Sequence, residues 1–297
     1  MTTATDKMAN LTWGTELELI GIDRAGAAEA VRSVVGGQVR YFGGGYDVVE
    51  VVAADGRVWK CMRDGSLSSS MHAEVVTPIM KGIGADLDTV QAVVRACRAA
   101  GARVDGSCGQ HVHVGTATLD AFQLAQVVRG AYHWEKAIHV MCGVQSRRTA
   151  HFCKPLPSRT MEAVSKAGKK NMMATGSAVK TAWYGDRGAH LNHYDDSRYH
   201  GVNLHSVFYR GTIEFRWFEG TTHAGEVKAN VVLALALVAY GTTAKRARVA
   251  NGCNMGVDKW LANYMLRQLG LTGPEMKNVR EHLTKRVPAT VAGTVAA

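Results

Sequence analysis

The chain has 297 residues, 46% of them hydrophobic, and a formal net charge of +10, with a pI near 9.4. That length allows a substantial core in one large domain or two, and the longest apolar run, Val231 to Tyr240, suits a buried helix and falls short of a membrane span. A polar opening from Met1 to Asn10 carries no apolar signal segment, and the six cysteines lack paired spacing and read as reduced thiols, so a cytoplasmic protein is expected.

Taken in order, the first element is a strand, Leu11 to Ile20, in which Glu16 and Glu18 alternate with Leu17 and Leu19. Ala25 to Val35 reads as a short helix stopped by Gly36-Gly37. Val39 to Arg63 reads as a hairpin region, with strands Asp47 to Ala53 and Arg57 to Met62 and turns at Gly43-Gly44-Gly45 and Asp55-Gly56. The triple glycine lacks the lysine and strand-to-helix setting of a phosphate-binding loop and is expected to be a turn. Asp64-Gly65-Ser66-Leu67 turns the chain again ahead of the strand Met71 to Thr77, where His72 and Glu74 share a face and Pro78 ends the pairing. Ala85 to Ala100 is an amphipathic helix with Asp86 as its cap, Leu87, Val90, Val94 and Cys97 buried, and Gly101 as its stop.

Cys108, expected as a small residue entering a strand, precedes Gly109 to Gly115, in which His111 and His113 alternate with Val112 and Val114. Leu119 to Met141 forms a long helix that turns Phe122, Val127, Trp134, Ile138 and Met141 to the core, with His133 and His139 as surface or packing residues. Gln145 to His200 differs in character: basic residues from Arg147 and Arg148 through Arg187 to Arg198 are spread along it, helical periodicity is weak and glycines recur. A long irregular segment in a compact domain is a lid, a binding loop or an excursion. It reads here as a basic lid over a phosphorylated substrate, with a solvated loop as the alternative.

Asn203 to Tyr209 is expected to be a strand paired with Thr212 to Phe218 through a turn at Arg210-Gly211, with Asn203 and His205 either facing the site or lying on an edge. On the second strand Thr212, Glu214, Arg216 and Phe218 fall on one face and Ile213, Phe215 and Trp217 on the other. Three helices, Ala224 to Ala244, Val257 to Leu269 and Pro274 to Thr284, close the chain. Lys245, Arg246 and Arg248 suit the first one's C-terminal dipole, and Pro288 to Ala297 reads as a mobile tail. The economical division is one domain, 1–297, with the basic insertion at about 145–200 and C-terminal helices at about 257–286.

Four of these strands carry Glu or His where a solvated face would mix Thr, Ser, Lys and Gln. A Glu in mid-strand works against β-propensity, and Glu16 beside Glu18 repels unless a cation lies between them, a hard-oxygen setting that suits Mg or Mn. The four strands are therefore expected to share one sheet, their polar faces meeting at one metal site. The positive charge attracts polyanions, which admits an acidic or nucleic-acid-linked substrate.

Glu16 and Glu18 on the first strand, Asp64-Gly65-Ser66-Leu67 before Glu74-Val75-Val76-Thr77-Pro78, Cys108-Gly109-Gln110-His111-Val112-His113-Val114, and Thr212-Ile213-Glu214-Phe215-Arg216, in that order, resemble the amidoligase family. That family belongs to the carboxylate–amine ligase superfamily with glutamine synthetase and the γ-glutamylcysteine ligases, and the likeness spans roughly residues 12–240. The resemblance implies an α+β fold, similar to the glutamine synthetase catalytic domain, in which a curved, mainly antiparallel sheet binds ATP and Mg or Mn on its concave face and carries helices on its back. It implies Glu16, Glu18, Glu74 and Glu214 as metal ligands, His111 as a contact to metal or nucleotide phosphate, His113 as a second such contact, and Arg216 as the arginine that steadies a transferring phosphoryl group. Asp64 is the candidate for activating the amine, and no adenine pocket is matched. The implied reaction joins a small-molecule or peptide carboxylate to an amine through an acyl phosphate.

Two rival readings stand beside this one. A metal-dependent hydrolase of the amidohydrolase type also uses His-x-His on a strand, but needs further histidines on later barrel strands and alternating βα units. A non-catalytic basic nucleic-acid-binding protein accounts for the charge but not for the Glu and His strands.

Overall fold

The computed structural model describes residues 4–185, 194–244 and 256–289. A helix α1 (Ala4–Asn10) leads into β1 (Thr12–Ile20), and α2 (Arg24–Val35) returns the chain to the hairpin-linked β2 (Gln38–Gly43), β3 (Val48–Val52) and β4 (Val58–Met62). Then come β5 (His72–Val76), the short β6 (Met80–Lys81), α3 (Ala85–Ala99), β7 (Gly109–Gly115) and the long α4 (Ala121–Cys142). Short helices α5 (Ser146–His151), α6 (Ser158–Ala167) and α7 (Ser177–Tyr184) precede β8 (Val202–Asn203), α8 (His205–Arg210) and β9 (Thr212–Glu219). Helices α9 (Ala224–Thr243), α10 (Lys259–Gln268) and α11 (Lys277–Thr284) follow.

The fold is α+β. Its open sheet runs β2-β3-β4-β5-β1-β7-β9-β8, with β6 beside the start of β1, and neighbouring strands pair antiparallel. One face is apolar: Leu17, Leu19, Val75, Val112, Val114, Ile213 and Phe215 are all buried, and α2, α4 and α9 pack on the sheet. Burying each such side chain stabilises the fold by roughly 1.5–3 kcal/mol, which fixes the register and so turns the alternate residues to the opposite face.

Helix α9 is longer than the apolar run at its centre. It has 20 residues and enough apolar character to cross a bilayer, yet most of it is buried, against α1, α3, α4, α11 and β7. A helix apolar on all sides needs neighbours on all sides, and here the core supplies them.

Several local expectations are corrected. Asp86 does not cap α3: the cap position is Gly84, while Asp86 accepts from the Lys81 backbone N–H at 2.8 Å and pairs with Arg57 at 2.9 Å. Phe122 is half-buried beneath the Lys170 ammonium, not in the core. The segment 145–200 is not irregular, since it contains α5, α6 and α7. The last two are held by buried pairs at helical spacing, Met161 with Val164 and Val179 with Trp183.

Asn203 to Tyr209 is a strand only at Val202–Asn203. The Asn203 side chain accepts from the His205 backbone N–H at 2.8 Å, which turns the chain into α8. Gly211, at φ 74, ends that helix as a left-handed cap and does not form a hairpin turn. Arg187, the cluster Lys245, Arg246 and Arg248, and the tail beyond 289 lie outside the described residues.

Candidate active site

On the polar face β1 lies between β5 and β7, with β9 next to β7. The register sets Glu18 opposite Glu74, Glu16 opposite His111, and His113 opposite Glu214. Paired residues project to the same side of a sheet, so four separate stretches of sequence deliver six Glu and His side chains to one patch. His111 Nδ1 stands 3.0 Å from Glu16 Oε2 and 3.7 Å from Glu214 Oε1, and its Nε2 lies 3.8 Å from Glu18 Oε1. His113 Nε2 is 3.3 Å from Glu16 Oε1. Two triads overlap at His111, one with Glu16 and Glu214 and one with Glu18 and Glu74, and within each triad one ligand atom per residue lies within 4.8 Å of the others.

The ionisation of the patch is divided. Burial alone would raise Glu16, but the His113 charge and hydrogen bonds from His111 and His113 hold it well below the usual carboxylate range. Glu214 is likewise buried, yet the Arg216 guanidinium, with His113 and His111, brings it down to about 2. Glu18 is pushed up to about 8 by burial and by the charge of Asp64. Glu74 is carried well above the usual range by burial and by repulsion from Glu16, Glu18 and Asp64. His111 falls to about 4 through burial and the nearby Arg216, so at neutral pH it is an uncharged imidazole able to ligate a cation. Against burial, the carboxylates of Glu16 and Glu214 raise His113.

This donor set fits divalent cations. Carboxylate oxygens and a neutral imidazole converge from four strands, and the charged form of the Glu18–Glu74 pair is only partly compensated by Arg148, Arg210, Arg216 and the Gly109 N–H.

Arg216 is buried beside this patch. Its Nη1 donates to Glu214 Oε1 and its Nε to the Phe152 carbonyl at 3.2 Å. A bulge in the β7–β9 pairing, where Gln110 meets Phe218 but Val112 meets Phe215, lies alongside it. The bulge breaks the expected alternation on β9. Phe218 pairs with Gln110, whose side chain reaches Asn230 on α9, so Phe218 belongs to the helix side and not to the polar face.

Beneath the bulge lies Arg148 of α5, a residue that carries no local signal in the sequence. It donates to the Arg216 carbonyl at 3.0 Å and lies 3.7 Å from Glu219. The backbone N–H of Gly109 donates to Glu18 Oε2. Glycine at 109 leaves room for the Arg148 guanidinium: a Cβ there would lie 2.6 Å from Arg148 Nη1, so a larger residue forces Arg148 to shift.

Beside the patch an open cleft is lined by Glu16, His113, Glu214, Asn203, His205, Ser206, Arg198, Tyr209 and Arg210. Arg210 Nη1 lies 3.3 Å from Glu16 Oε1, and Asn203 Nδ2 donates to Glu214 Oε2 at 2.6 Å.

The structure thus brings Glu16, Glu18, Glu74, Glu214, His111, His113 and Arg216 together. Asp64 is close enough for its charge to act on Glu18 and Glu74, but its Oδ1 is engaged with the Ser66 backbone N–H at 2.7 Å. His72 opposes Ile20 at the end of β1 and stays outside both triads. Cys108 is buried, and burial pushes its thiol up to about 11, far from a reactive thiolate. His133 packs edge-on against Trp134.

The sequence matches the model of the family described as "Putative amidoligase enzyme" over residues 9–238. No curated protein matches it. Among solved structures it is similar to a bifunctional glutathione synthetase from Pasteurella multocida, at 12% identity and a TM-score of 0.40, over 93% of this chain and 48% of that one. The chain therefore spans about half the length of that protein, and a likeness so distant adds nothing to the family match. A family match that runs over most of the chain, from β1 through β9 and into α9, makes this protein a member of the amidoligase family.

Proposed function

We propose that the protein is an ATP- and Mg-dependent carboxylate–amine ligase that forms an amide or peptide-like bond through an acyl phosphate. The observation that supports it most is the pair of overlapping triads sharing His111 on adjacent strands. A carboxylate is a poor acyl donor; transfer of the γ-phosphoryl group of ATP to it creates a phosphate leaving group that an amine displaces. Glu16, Glu18, Glu74, Glu214 and His111 would hold Mg or Mn, which supplies charge neutralisation for the phosphates and alignment of donor and acceptor.

In this reading Arg216 steadies charge developing on the moving phosphoryl group, and its bonds to Glu214 and Phe152, which hold the guanidinium in place beforehand, support that role. His113 provides a second nucleotide contact. Asp64 remains the acidic candidate near the amine. The basic segment 145–200 acts as a lid that keeps water from the acyl phosphate, and its charge suits an acidic or nucleic-acid-linked substrate. The glutamine synthetase-like catalytic architecture, a single domain and a cytoplasmic setting complete this reading.

The hydrolase rival expects a barrel of alternating βα units, whereas the described strands form an open antiparallel sheet. ATP turnover measured with panels of carboxylates and amines tests the proposal. Consumption of ATP that requires both partners supports it, and metal-dependent hydrolysis with no ATP requirement overturns it. A crystal soaked with a non-hydrolysable ATP analogue and Mg should show cations touching Glu16, Glu18, Glu74 and Glu214.

A further inference from the structure

Resting on the ligase reading, we infer that Arg148 is a positioning residue: through it, helix α5 clamps the β9 bulge and so sets where Arg216 presents its guanidinium. Arg148 is buried, and its Nη2 donates to the Arg216 carbonyl at 3.0 Å. That carbonyl lies in the bulge, where the pairing of β7 passes from Gln110 with Phe218 to Val112 with Phe215 and the ladder is interrupted. The same guanidinium reaches toward β7, with Nη1 3.5 Å from the Cys108 carbonyl. Arg148 therefore bridges both strands beside the interruption in their pairing.

Helix α5 grips β9 at two further points. The Gln145 backbone N–H, at the helix N-cap, donates to Glu219 Oε1 at 3.0 Å, and the Phe152 carbonyl, at the C-cap, accepts from Arg216 Nε at 3.2 Å. One helix thus holds Arg216 twice, by its main-chain carbonyl and by its guanidinium. Burying the Arg148 charge is costly; Glu219 offsets it from 3.7 Å, while Arg148 Nε has no hydrogen-bond partner among the described residues. An apolar side chain would fill the space at lower cost, so what the guanidinium adds is its grip on the two carbonyls.

The consequence for the reaction is geometric. In the ligase reading Arg216 meets charge that develops as the phosphoryl group moves, and a donor of that kind is effective only when it is already in place. A misplacement of about 1 Å costs on the order of 100-fold in rate. Arg148 acts through Arg216 and needs no contact with the nucleotide. Its loss should therefore lower kcat and kcat/KM for ATP by the same factor and leave KM unchanged.

A double-mutant cycle separates this role from a purely structural one. With ATP, saturating Mg and the carboxylate and amine that the parent enzyme uses best, turnover is measured in Arg148→Met, Arg216→Lys and the double variant, at a temperature where circular dichroism shows each to be folded. Arg148→Met is expected to lower kcat about 10- to 100-fold, with KM for ATP within about twofold of the parent. In the Arg216→Lys background the same change should cost less than about threefold, because the group it positions is already lost. Equal falls in both backgrounds, a fall confined to KM, or an Arg148→Met enzyme as active as the parent overturns the assignment and leaves the ligase reading intact. If Arg148→Met does not fold, Arg148→Lys, which keeps the charge but loses the fork, goes through the same cycle. A fall that vanishes in the Arg216→Lys background then supports the assignment, and an additive fall or none overturns it. A parent enzyme that consumes no ATP with any carboxylate and amine overturns the ligase reading and this inference with it.

Discussion

Glu18 and Glu74 stand directly opposite each other across β1 and β5, two buried carboxylates in register. With Glu18 at about 8, that carboxyl is largely protonated at neutral pH when no cation is bound, and burial with the neighbouring carboxylates raises Glu74 in the same direction. A divalent cation reverses this, because it binds the ionised form and expels the protons. Titration with Mg at pH 7 is therefore expected to release about one proton per site from Glu18, with Glu74 adding to it. Calorimetry in buffers of different ionisation enthalpy measures the number, and Glu74→Gln should reduce it. Mg binding with no proton release would mean that the cation lies elsewhere.

Arg216 and Glu214 are each other's counterions, which changes what a substitution at 216 does. The sequence suggests that Arg216→Ala removes ATP turnover and leaves the fold largely intact. Truncation also leaves the buried Glu214 without its guanidinium partner, at a cost of about 3–5 kcal/mol, so a fall in thermal stability is expected beside the loss of turnover. Arg216→Lys keeps a charge but loses the two-direction geometry to Glu214 and Phe152. It should stay folded by thermal denaturation while turnover falls about 100- to 1,000-fold. Normal turnover in Arg216→Lys would count against its role at the transferring group.

Glycine at 109 supports a third prediction. Gly109→Ala pushes a methyl group into the Arg148 guanidinium, and the same residue's N–H holds Glu18. Overpacking of this kind costs about 1–3 kcal/mol. Because the strain falls on the strand segment that aims Glu18, Mg affinity should weaken along with thermal stability. A variant equal to the parent in both would show that Arg148 can move aside without consequence.

The polar faces of β1, β5, β7 and β9 were legible because alternation is a local property: Glu16 and Leu17 declare opposite faces wherever the strand is placed. That these strands are neighbours follows from tertiary pairing, and the expectation that Glu18 and Glu74 meet rests on the repeated Glu and His pattern of four strands, together with the repulsion between Glu16 and Glu18. Phe218 was assigned to the wrong face because a bulge adds one residue to the count, and no residue type marks its position. The helix α8 was hidden because His205 to Arg210 contains Val, Phe and Tyr, which suit a strand, whereas the deciding contact is the Asn203 side chain on the His205 N–H. Arg148 was one basic residue among many in its segment, and only the folded chain shows it buried behind Arg216.

The ionisable groups also set how stability depends on pH when no cation is bound. His111, lowered from 6.5 to about 4 by burial and Arg216, contributes stability that is complete above 6.5 and is lost as pH falls toward 4. Glu18 acts in the opposite sense: raised from 4.5 to about 8, it contributes stability that is present below 4.5 and lost as pH rises toward 8. His113, raised from 6.5 against burial by Glu16 and Glu214, adds to the loss above 6.5. The chelated protein should therefore melt at a lower temperature at pH 8 than at pH 6.5, while between 4.5 and 6.5 the His111 and Glu18 slopes oppose each other. Thermal scans in EDTA across this range measure the profile. Glu18→Gln should shrink the alkaline limb, leaving the shares of Glu74, Glu135 and His113, and should weaken the opposition to the loss of stability below 6.5, whereas His111→Gln should remove the His111 share of that acid-side loss. Saturating Mg, by favouring the ionised carboxylates, should raise the melting temperature more at pH 8 than at pH 5. An alkaline limb that persists unchanged in Glu18→Gln would show that this carboxylate is not the buried acid the geometry makes it.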